Sequence, residues 1–151
     1  MKLNDDYLKQ VCLPVPQGDD VSDTIKGMLA LCYGDEGEQA GLGLAANQAG
    51  LTQRIIVVSH GLLSDGLINP VIEKYRGGIY KSKEGCLSFP GEQAVVMRHK
   101  IVKVSWFNSN WEAQTRTFRG LLAAIIQHEV DHLDGISIFD RQKLGVVERR
   151  G

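Results

Sequence analysis

A His-Glu-x-x-His pattern at residues 128–132 is the strongest chemical signal in the sequence. Four residues of an α-helix turn through about 400°, so His128 and His132 are expected to project from one face, one turn apart. Two imidazoles placed in this way can bind one metal ion. Glu129 lies about 100° around the helix from His128, where a carboxylate can handle a proton of bound water. The spacing therefore predicts a hydrolytic metal site.

An alternative interpretation is a solvated helix end that carries two histidines by chance. Leu121 and Ile125, in the turns before the motif, form an apolar stripe that is expected to face the core. Charged side chains on an inward-facing stripe are costly unless they are paired or bind a metal. The metal interpretation is therefore favoured.

A catalytic metal usually has three protein ligands, so the two histidines need a partner. The longer pattern with a third histidine fails, because its position holds Ile138 although Gly135 is correctly placed. Glu148 is the one glutamate downstream, so an upstream ligand is expected. The candidates are His60, His99 and Cys86. Cys86 stands out because it lies within Glu-Gly-Cys-Leu-Ser, residues 84–88.

Two helices are predicted around this site. Capping residues at 19–23 precede apolar residues at the i, i+3, i+4, i+7 spacing, which indicates an amphipathic helix over residues 22–34. The motif helix is expected over residues 119–133 and is ended by Gly135. Its inner side is expected to carry Leu121, Leu122, Ile125 and Ile126.

Strands are expected at residues 55–58, 67–72, 95–96, 100–107 and 111–118. Pro70 predicts a bend or an edge position in the second of these, and the turn signal at 108–110 predicts that the last two form a hairpin. Because the strands precede the motif helix as a group, we expect an α+β fold of antiparallel or mixed strands packed around a central helix that carries the motif.

The composition indicates one folded domain over residues 1–151, with 43% hydrophobic and 23% charged residues. The net charge of −1 disfavours broad binding to nucleic acid or membranes, and no membrane segment or signal peptide is recognisable. Three cysteines without a signal peptide indicate reduced thiols in a cytosol-like compartment. Cys12 and Cys32 lie in apolar surroundings and are interpreted as core packing.

Three segments together resemble the signature motifs of the peptide deformylase family. They are Gly-Leu-Gly-Leu-Ala-Ala-Asn-Gln at 41–48, Glu-Gly-Cys-Leu-Ser at 84–88 and Gln-His-Glu-Val-Asp-His at 127–132, in the family's order and with compatible gaps. The last motif alone is shared by many metallopeptidases, whereas the set of three is specific. The resemblance implies removal of the formyl group from the N-terminal formyl-methionine of nascent polypeptides, with release of formate.

For the metal, the resemblance implies ligation by Cys86, His128 and His132, with water in the fourth position. The implied metal is Fe(II), for which Zn(II), Ni(II) or Co(II) can substitute. A thiolate with two imidazoles suits Fe(II) or Zn(II), and geometry alone does not choose between them. Thiolate ligation also makes such a site sensitive to oxidation.

For catalysis, the resemblance implies that Glu129 acts as general base and then acid. The Gln48 side-chain amide and the Leu87 backbone N–H would donate to the oxygen of the attacked formyl group. The implied peptide contacts are the main chain at Leu42, Gly43 and Gly85 and a methionine pocket of Leu121, Ala124 and Ile125. The glycines Gly41, Gly43 and Gly85 would let the backbone approach the substrate closely.

Three charged residues near the ligands, Glu84, Arg98 and Asp131, are expected to orient the metal ligands. His60 and His99 match no motif and are expected on the surface.

Two departures from the family pattern affect the substrate and partners. Gln93 stands where many bacterial members carry an arginine that holds the substrate, so peptide contacts are expected to differ. Many relatives also continue into a long basic helix that docks on ribosomes, which this sequence is too short to form after Asp140. Ribosome docking by that route is therefore in doubt. Such a reduced form would fit a phage-encoded member, active in the host cytosol, or a bacterial cytosolic one.

Two other functions remain open at this point. A zinc peptidase that cuts internal bonds would explain the His-Glu-x-x-His motif but not the first two motifs. A non-catalytic domain with a structural metal would have four protein ligands and no use for Gln48 and Glu129.

Overall fold

The computed structural model describes residues 1–33, 42–60 and 63–148, and these residues form three α-helices and five β-strands. In chain order the elements are α1 (Ser22–Tyr33), β1 (Gly43–Ala45), β2 (Ile55–His60), β3 (Leu63–Glu84), β4 (Ala94–Phe107), β5 (Ala113–Arg119), α2 (Gly120–Leu133) and α3 (Ile138–Leu144), with a short 3-10 helix (Ala46–Gln48) after β1. The strands form one sheet in the order β1-β2-β3-β4-β5, and each neighbouring pair is antiparallel. The predicted α+β class is confirmed.

Strands β3 and β4 join segments that the sequence pattern separates. The predicted segment 67–72 lies within β3, which has 22 residues, and the segments 95–96 and 100–107 are parts of β4. Three register shifts let β3 bend while it continues to pair with β4, and Pro70 lies at the first of them, in agreement with the predicted irregularity. The predicted hairpin is present as β4 and β5, joined through the turn at 108–110.

Strand β2 is buried on both faces, which explains its continuous run of branched apolar residues. Ile56 belongs to the same apolar cluster as Ile126 of α2. Val57 points the other way and belongs to a second cluster with Met28 of α1. The two predicted helices thus cover opposite faces of one strand. Helix α1 begins at the expected residue, α2 begins one residue later than expected, and position 34 lies outside the described residues.

Two of the three thiols serve packing, as predicted. Cys12 is 2% exposed and Cys32 is fully buried, one in each apolar cluster. Burial raises the pKa of the Cys32 thiol to about 12, so it stays protonated at neutral pH. None of the three cysteines forms a disulfide.

Two predictions about exposure are wrong. Leu121, expected on the inner side of its helix, is 51% exposed, because the first turn of α2 lines a surface cleft. His99, expected on the surface, is 1% exposed. Its ring packs on Tyr75 with centroids 4.6 Å apart, and its Nε2 lies 2.7 Å from the carbonyl oxygen of Val147, so the segment after α3 covers it.

Helix α3 was not indicated by the sequence pattern. It begins with a capping box in which the Ser137 hydroxyl accepts from the Asp140 N–H and the Asp140 carboxylate accepts from the Ser137 N–H. Within the described residues, no helix combines the length and the apolar character needed to cross a membrane.

Gly135 ends α2 as predicted. It has φ +75°, and its N–H donates to the carbonyl of His132, while the Ile136 N–H donates to the carbonyl of Asp131. A side chain at this position would place its Cβ 2.5 Å from the carbonyl oxygen of Lys9. The turn after the motif helix therefore needs glycine both for its backbone angle and for space.

Gly135→Ala is expected to lower the free energy of unfolding by about 2–4 kcal/mol, because left-handed strain adds to the clash with Lys9. Gly18→Ala is the matched control, since Gly18 has φ +93° but nothing within 4 Å of the added Cβ. Urea unfolding of both variants separates strain from clash, and equal losses would contradict this account.

Candidate metal centre and active-site cleft

Three candidate metal ligands meet at one point. Cys86 lies in the connection between β3 and β4, and His128 and His132 lie on successive turns of α2. One ligand atom of each residue lies within 4.8 Å of the others, and Cys86 Sγ is 3.2 Å from His132 Nε2. A thiolate with two imidazoles is a donor set that binds Fe(II), Zn(II) and similar ions. The residues present therefore fit a divalent transition metal.

Of the three upstream ligand candidates, the structure brings only Cys86 into this group. His60 lies half-buried at the end of β2. The ring of His99 packs against Tyr75 and is not part of the ligand group.

The two imidazoles are held in different ways. His128 Nδ1 lies 3.0 Å from Oε1 of Glu84, which leaves Nε2 for a metal. The carbonyl of His132 accepts a hydrogen bond from the Asn47 side chain, whereas His132 Nδ1 has no hydrogen-bond partner among the described residues. Asn47 comes from the 41–48 motif, so this motif supports the ligand helix directly.

The surroundings of the imidazoles suit a cation. Burial and the nearby His128 lower the pKa of His132 to about 3, so this ring is neutral, as a ligand must be. Burial alone lowers the pKa of His128, but the charge of Glu129 and hydrogen bonds with Cys86 and Glu84 raise it overall to about 10. A pocket that favours positive charge here is one in which a metal ion would replace the proton.

Buried ion pairs connect Glu84 to residues beyond the ligands. Arg98 donates to both oxygens of Glu84, at 3.0 and 2.8 Å, and to Oδ2 of Asp131 at 2.6 Å. Arg141 of α3 donates to both oxygens of Asp131, at 3.0 and 2.8 Å. Arg98 thus links Asp131 of the ligand helix to Glu84 at the end of β3, and Arg141 joins them without having been predicted to do so.

Glu129 is buried beside the ligands and is 4% exposed. Burial raises its pKa to about 7, and its Oε1 has no hydrogen-bond partner among the described residues. A Cβ on Gly43 would lie 2.8 Å from Glu129 Oε2 and 2.9 Å from a methyl of Ile125. Gly43 is therefore required by the close approach of α2, a reason that differs from the expected access of substrate.

Gln48 is fixed in one orientation. Its Oε1 accepts from the Ala45 N–H at 2.9 Å, so its amide N–H groups point toward the site. They lie 3.0 Å from Ser88 Oγ and 3.3 Å from Cys86 Sγ. Ser88 belongs to the 84–88 motif, but its contact with Gln48 was not predicted from the sequence.

A cleft of about 610 Å³ opens over these residues. The metal, catalytic and peptide-binding residues implied by the family resemblance line this cleft, except His132, which lies beneath the surface, and Gly41, which lies outside the described residues: Leu42, Gly43, Gln48, Gly85, Cys86, Leu87, Leu121, Ala124, Ile125, His128 and Glu129. Leu42 and Leu121 expose 42% and 51% of their surface, which gives the cleft an apolar wall. Gln93 also lines the cleft.

Known proteins are similar to this chain in sequence and fold. A family model described as polypeptide deformylase matches residues 1–146. The peptide deformylase of Aquifex aeolicus is 38% identical over 136 residues, which cover 86% of this chain and 80% of that protein.

Two solved structures are similar to most of this chain. The deformylase of the Vibrio parahaemolyticus bacteriophage VP16T, in complex with actinonin, has a TM-score of 0.84 and 38% identity over 91% of this chain and 100% of that chain. The class I type b peptide deformylase of Acinetobacter baumannii, bound to Met-Ala-Ser, has a TM-score of 0.79 and 31% identity over 93% and 94% of the two chains. With the family match over residues 1–146, these similarities establish that the chain belongs to the polypeptide deformylase family.

Proposed function

We propose that this metal-dependent hydrolase removes the formyl group from N-formyl-methionyl peptides by using Cys86, His128 and His132 as metal ligands and Glu129 for proton transfer. The observation that carries the proposal is the meeting of the three ligand atoms within 4.8 Å, beside a buried carboxylate in a peptide-sized cleft. The Met-Ala-Ser complex of the Acinetobacter baumannii relative supports a methionyl peptide as the occupant of the cleft.

Fe(II) is proposed as the resident metal from the resemblance to the deformylase family, and the donor set fits Fe(II) as well as the substitutes Zn(II), Ni(II) and Co(II). When bound, such an ion supplies Lewis acidity that polarises the formyl carbonyl and lowers the pKa of a water molecule. The thiolate of Cys86 would make the iron form sensitive to oxygen. A reducing cytosol, bacterial or that of a phage host, is the compartment that this ligand set favours.

Glu129 is assigned the proton transfers. As water attacks the formyl carbon, the carboxylate accepts a proton from it. When the C–N bond breaks, Glu129 returns that proton to the nitrogen of the departing methionyl amine, and formate is released. A pKa raised to about 7 by burial suits both steps near neutral pH.

Gln48 and Leu87 are proposed to stabilise the oxygen of the formyl group. Negative charge develops on this oxygen during attack, and the Gln48 amide and the Leu87 backbone N–H would donate to it. The hydrogen bond from Ala45 to Gln48 Oε1 holds the amide ready, so little reorganisation is needed. Removing such a donor typically costs about 10²–10³ in rate.

The peptide is assigned to the open side of β1. In the sheet of the described residues β1 is an edge strand, so an extended peptide can pair with the main chain at Leu42 and Gly43 on one side and Gly85 on the other. Leu121, Ala124 and Ile125 line the same cleft and would receive the methionine side chain. Gln93 would offer a neutral contact to the peptide beyond methionine.

The proposal also includes a central position for α2 and a single catalytic domain. Helix α2 contacts β1, β2, β3, β4 and β5, which supports its assignment as the central helix that carries the catalytic motif. Apolar clusters shared between the helices and the sheet support one catalytic domain over residues 1–151.

Glu129→Gln is expected to lower the rate of formate release by a factor of about 10² to 10⁴, because the isosteric amide cannot accept the proton. The metal content should stay at one ion per chain. Both are measured on one anaerobic preparation with formyl-Met-Ala-Ser as substrate. A variant that turns over at the wild-type rate would refute the role of Glu129, and a loaded wild-type protein that releases no formate would refute the proposed function.

Gly43→Ala and Gly85→Ala are expected to affect different kinetic constants. An added Cβ at Gly43 pushes on Glu129 and Ile125, so kcat should fall by at least tenfold while the metal is retained. At Gly85 the nearest atom is the Glu92 carbonyl oxygen at 3.6 Å, so the protein accommodates the methyl, and the peptide is obstructed instead. Gly85→Ala should therefore raise KM, and steady-state kinetics distinguish the two.

Cys86→Ser is expected to weaken Co(II) binding by at least tenfold and to remove the thiolate-to-cobalt absorption band, because a hydroxyl is a poor replacement for a thiolate. Cys32→Ala is the control, since it removes a buried thiol that lies outside the ligand group. Full Co(II) affinity in Cys86→Ser, with cleavage of unformylated peptides, would support a zinc peptidase with a different third ligand.

A further inference from the structure

Arg141 belongs to none of the three motifs, yet its side chain is buried against the ligand helix. The residue lies in α3 and is 8% exposed. Its Nε and Nη2 donate to the two carboxylate oxygens of Asp131, at 3.0 and 2.8 Å, and its Nη1 donates to the Gly145 carbonyl at 3.3 Å. A guanidinium bound by two parallel hydrogen bonds fixes both the position and the direction of the carboxylate.

Asp131 passes this constraint to Arg98. Its Oδ2 accepts from Arg141 Nε and also from Arg98 Nη1, the latter at 2.6 Å. Arg98 is 2% exposed and places its remaining donors, Nε and Nη2, on the two oxygens of Glu84. The direction of the Arg98 guanidinium is therefore set by Asp131 at one end and by Glu84 at the other.

The series of contacts ends on a proposed metal ligand. Glu84 Oε1 accepts from Arg98 Nη2 and lies 3.0 Å from His128 Nδ1. Arg141 is thus connected to His128 through Asp131, Arg98 and Glu84, with no contact longer than 3.0 Å.

The charge balance of these four side chains explains how Arg141 can affect the ring of His128. Two carboxylates, Glu84 and Asp131, are matched by two guanidiniums in a buried setting. Without Arg141, the carboxylate of Asp131 keeps Arg98 as its one side-chain partner among the described residues. A buried carboxylate with too few partners is costly, so Asp131 would turn toward new partners and would no longer fix the direction in which Arg98 presents Nε and Nη2 to Glu84.

We propose that Arg141 is a positioning residue for the metal site, which acts through Asp131, Arg98 and Glu84 to hold the ring of His128 in its ligating orientation. This inference rests on the proposed function, in that His128 is taken to be a metal ligand. Through it, α3 acts on the orientation of His128, with which Arg141 has no direct hydrogen bond.

The test compares Arg141→Met and Arg141→Lys with Arg54→Met. Arg54 is a suitable control because it also holds the end of α2, donating to the Leu133 carbonyl at 3.2 Å and to Asp134 at 2.9 Å, but it has no contact with Asp131 or Glu84. Each protein is prepared without metal and titrated with Co(II) under anaerobic conditions against a competing chelator. Visible absorption, Tm, and kcat and KM for formyl-Met-Ala-Ser are recorded on the same samples.

Arg141→Met is expected to bind Co(II) about tenfold more weakly and to show an altered visible spectrum. Its kcat should be lower than that of the wild type, with little change in KM. Arg141→Lys should recover part of the affinity, because it keeps the charge but not the double hydrogen bond. Arg54→Met should lower Tm while leaving Co(II) affinity and spectrum at the wild-type values.

The inference is overturned if Arg141→Met lowers Tm as Arg54→Met does but binds Co(II) with wild-type affinity and spectrum, since Arg141 would then only fasten α3 to α2. If Arg141→Met does not fold, the same comparison is made with Arg141→Lys. A wild-type protein that binds Co(II) but releases no formate would reject the proposed function alone, because altered Co(II) binding in the Arg141 variants would still support the positioning role.

Discussion

The buried carboxylate of Glu84 is the contact on which the rest of the site depends. It lies at the end of β3 and is shared by Arg98, His128 and the Ser82 hydroxyl, all within 3.0 Å. Burial by itself raises the pKa of Glu84, but the hydrogen bonds from His128 and Arg98 lower it to about 2, so the group remains ionised. A charge kept away from water in this way is stable only while its partners stay in place, so the ring of His128 and the end of β3 are fixed relative to each other.

Apolar packing sets the distances at which this polar arrangement can form. Strand β2 is covered by α1 on one face and α2 on the other, so α2 cannot tilt without opening the apolar cluster on its own face of the sheet. Gly43 of the edge strand lets α2 approach until Glu129 and Ile125 nearly touch its backbone. The apolar core therefore brings α2 close to the sheet, and the buried ion pairs determine its final position.

The residues that could be identified from the sequence are mainly those whose chemistry depends on their spacing within one helix. His128, Glu129 and His132 follow from helix geometry, and the setting of Cys86 pointed to the third ligand. Contacts that depend on the packing of distant segments leave no such pattern. Arg141 lies in a short helix that hydrophobic spacing did not indicate, and His99 is buried because the segment at Val147 folds back over it. The reason for Gly43 likewise became clear only from the closeness of α2.

The site also separates the groups that must stay fixed from the one proposed to change its charge. Glu84, Arg98 and Asp131 fill their hydrogen bonds with one another, and the orientation of Gln48 is set by Ala45. Glu129 differs, because its buried Oε1 accepts no hydrogen bond from the described residues. The same burial raises its pKa to about 7, where gaining and losing a proton are nearly balanced at neutral pH. Further hydrogen bonds from protein groups would favour the ionised form of the carboxylate and lower its pKa, so the scarcity of such donors around Glu129 keeps it able to accept a proton and return it.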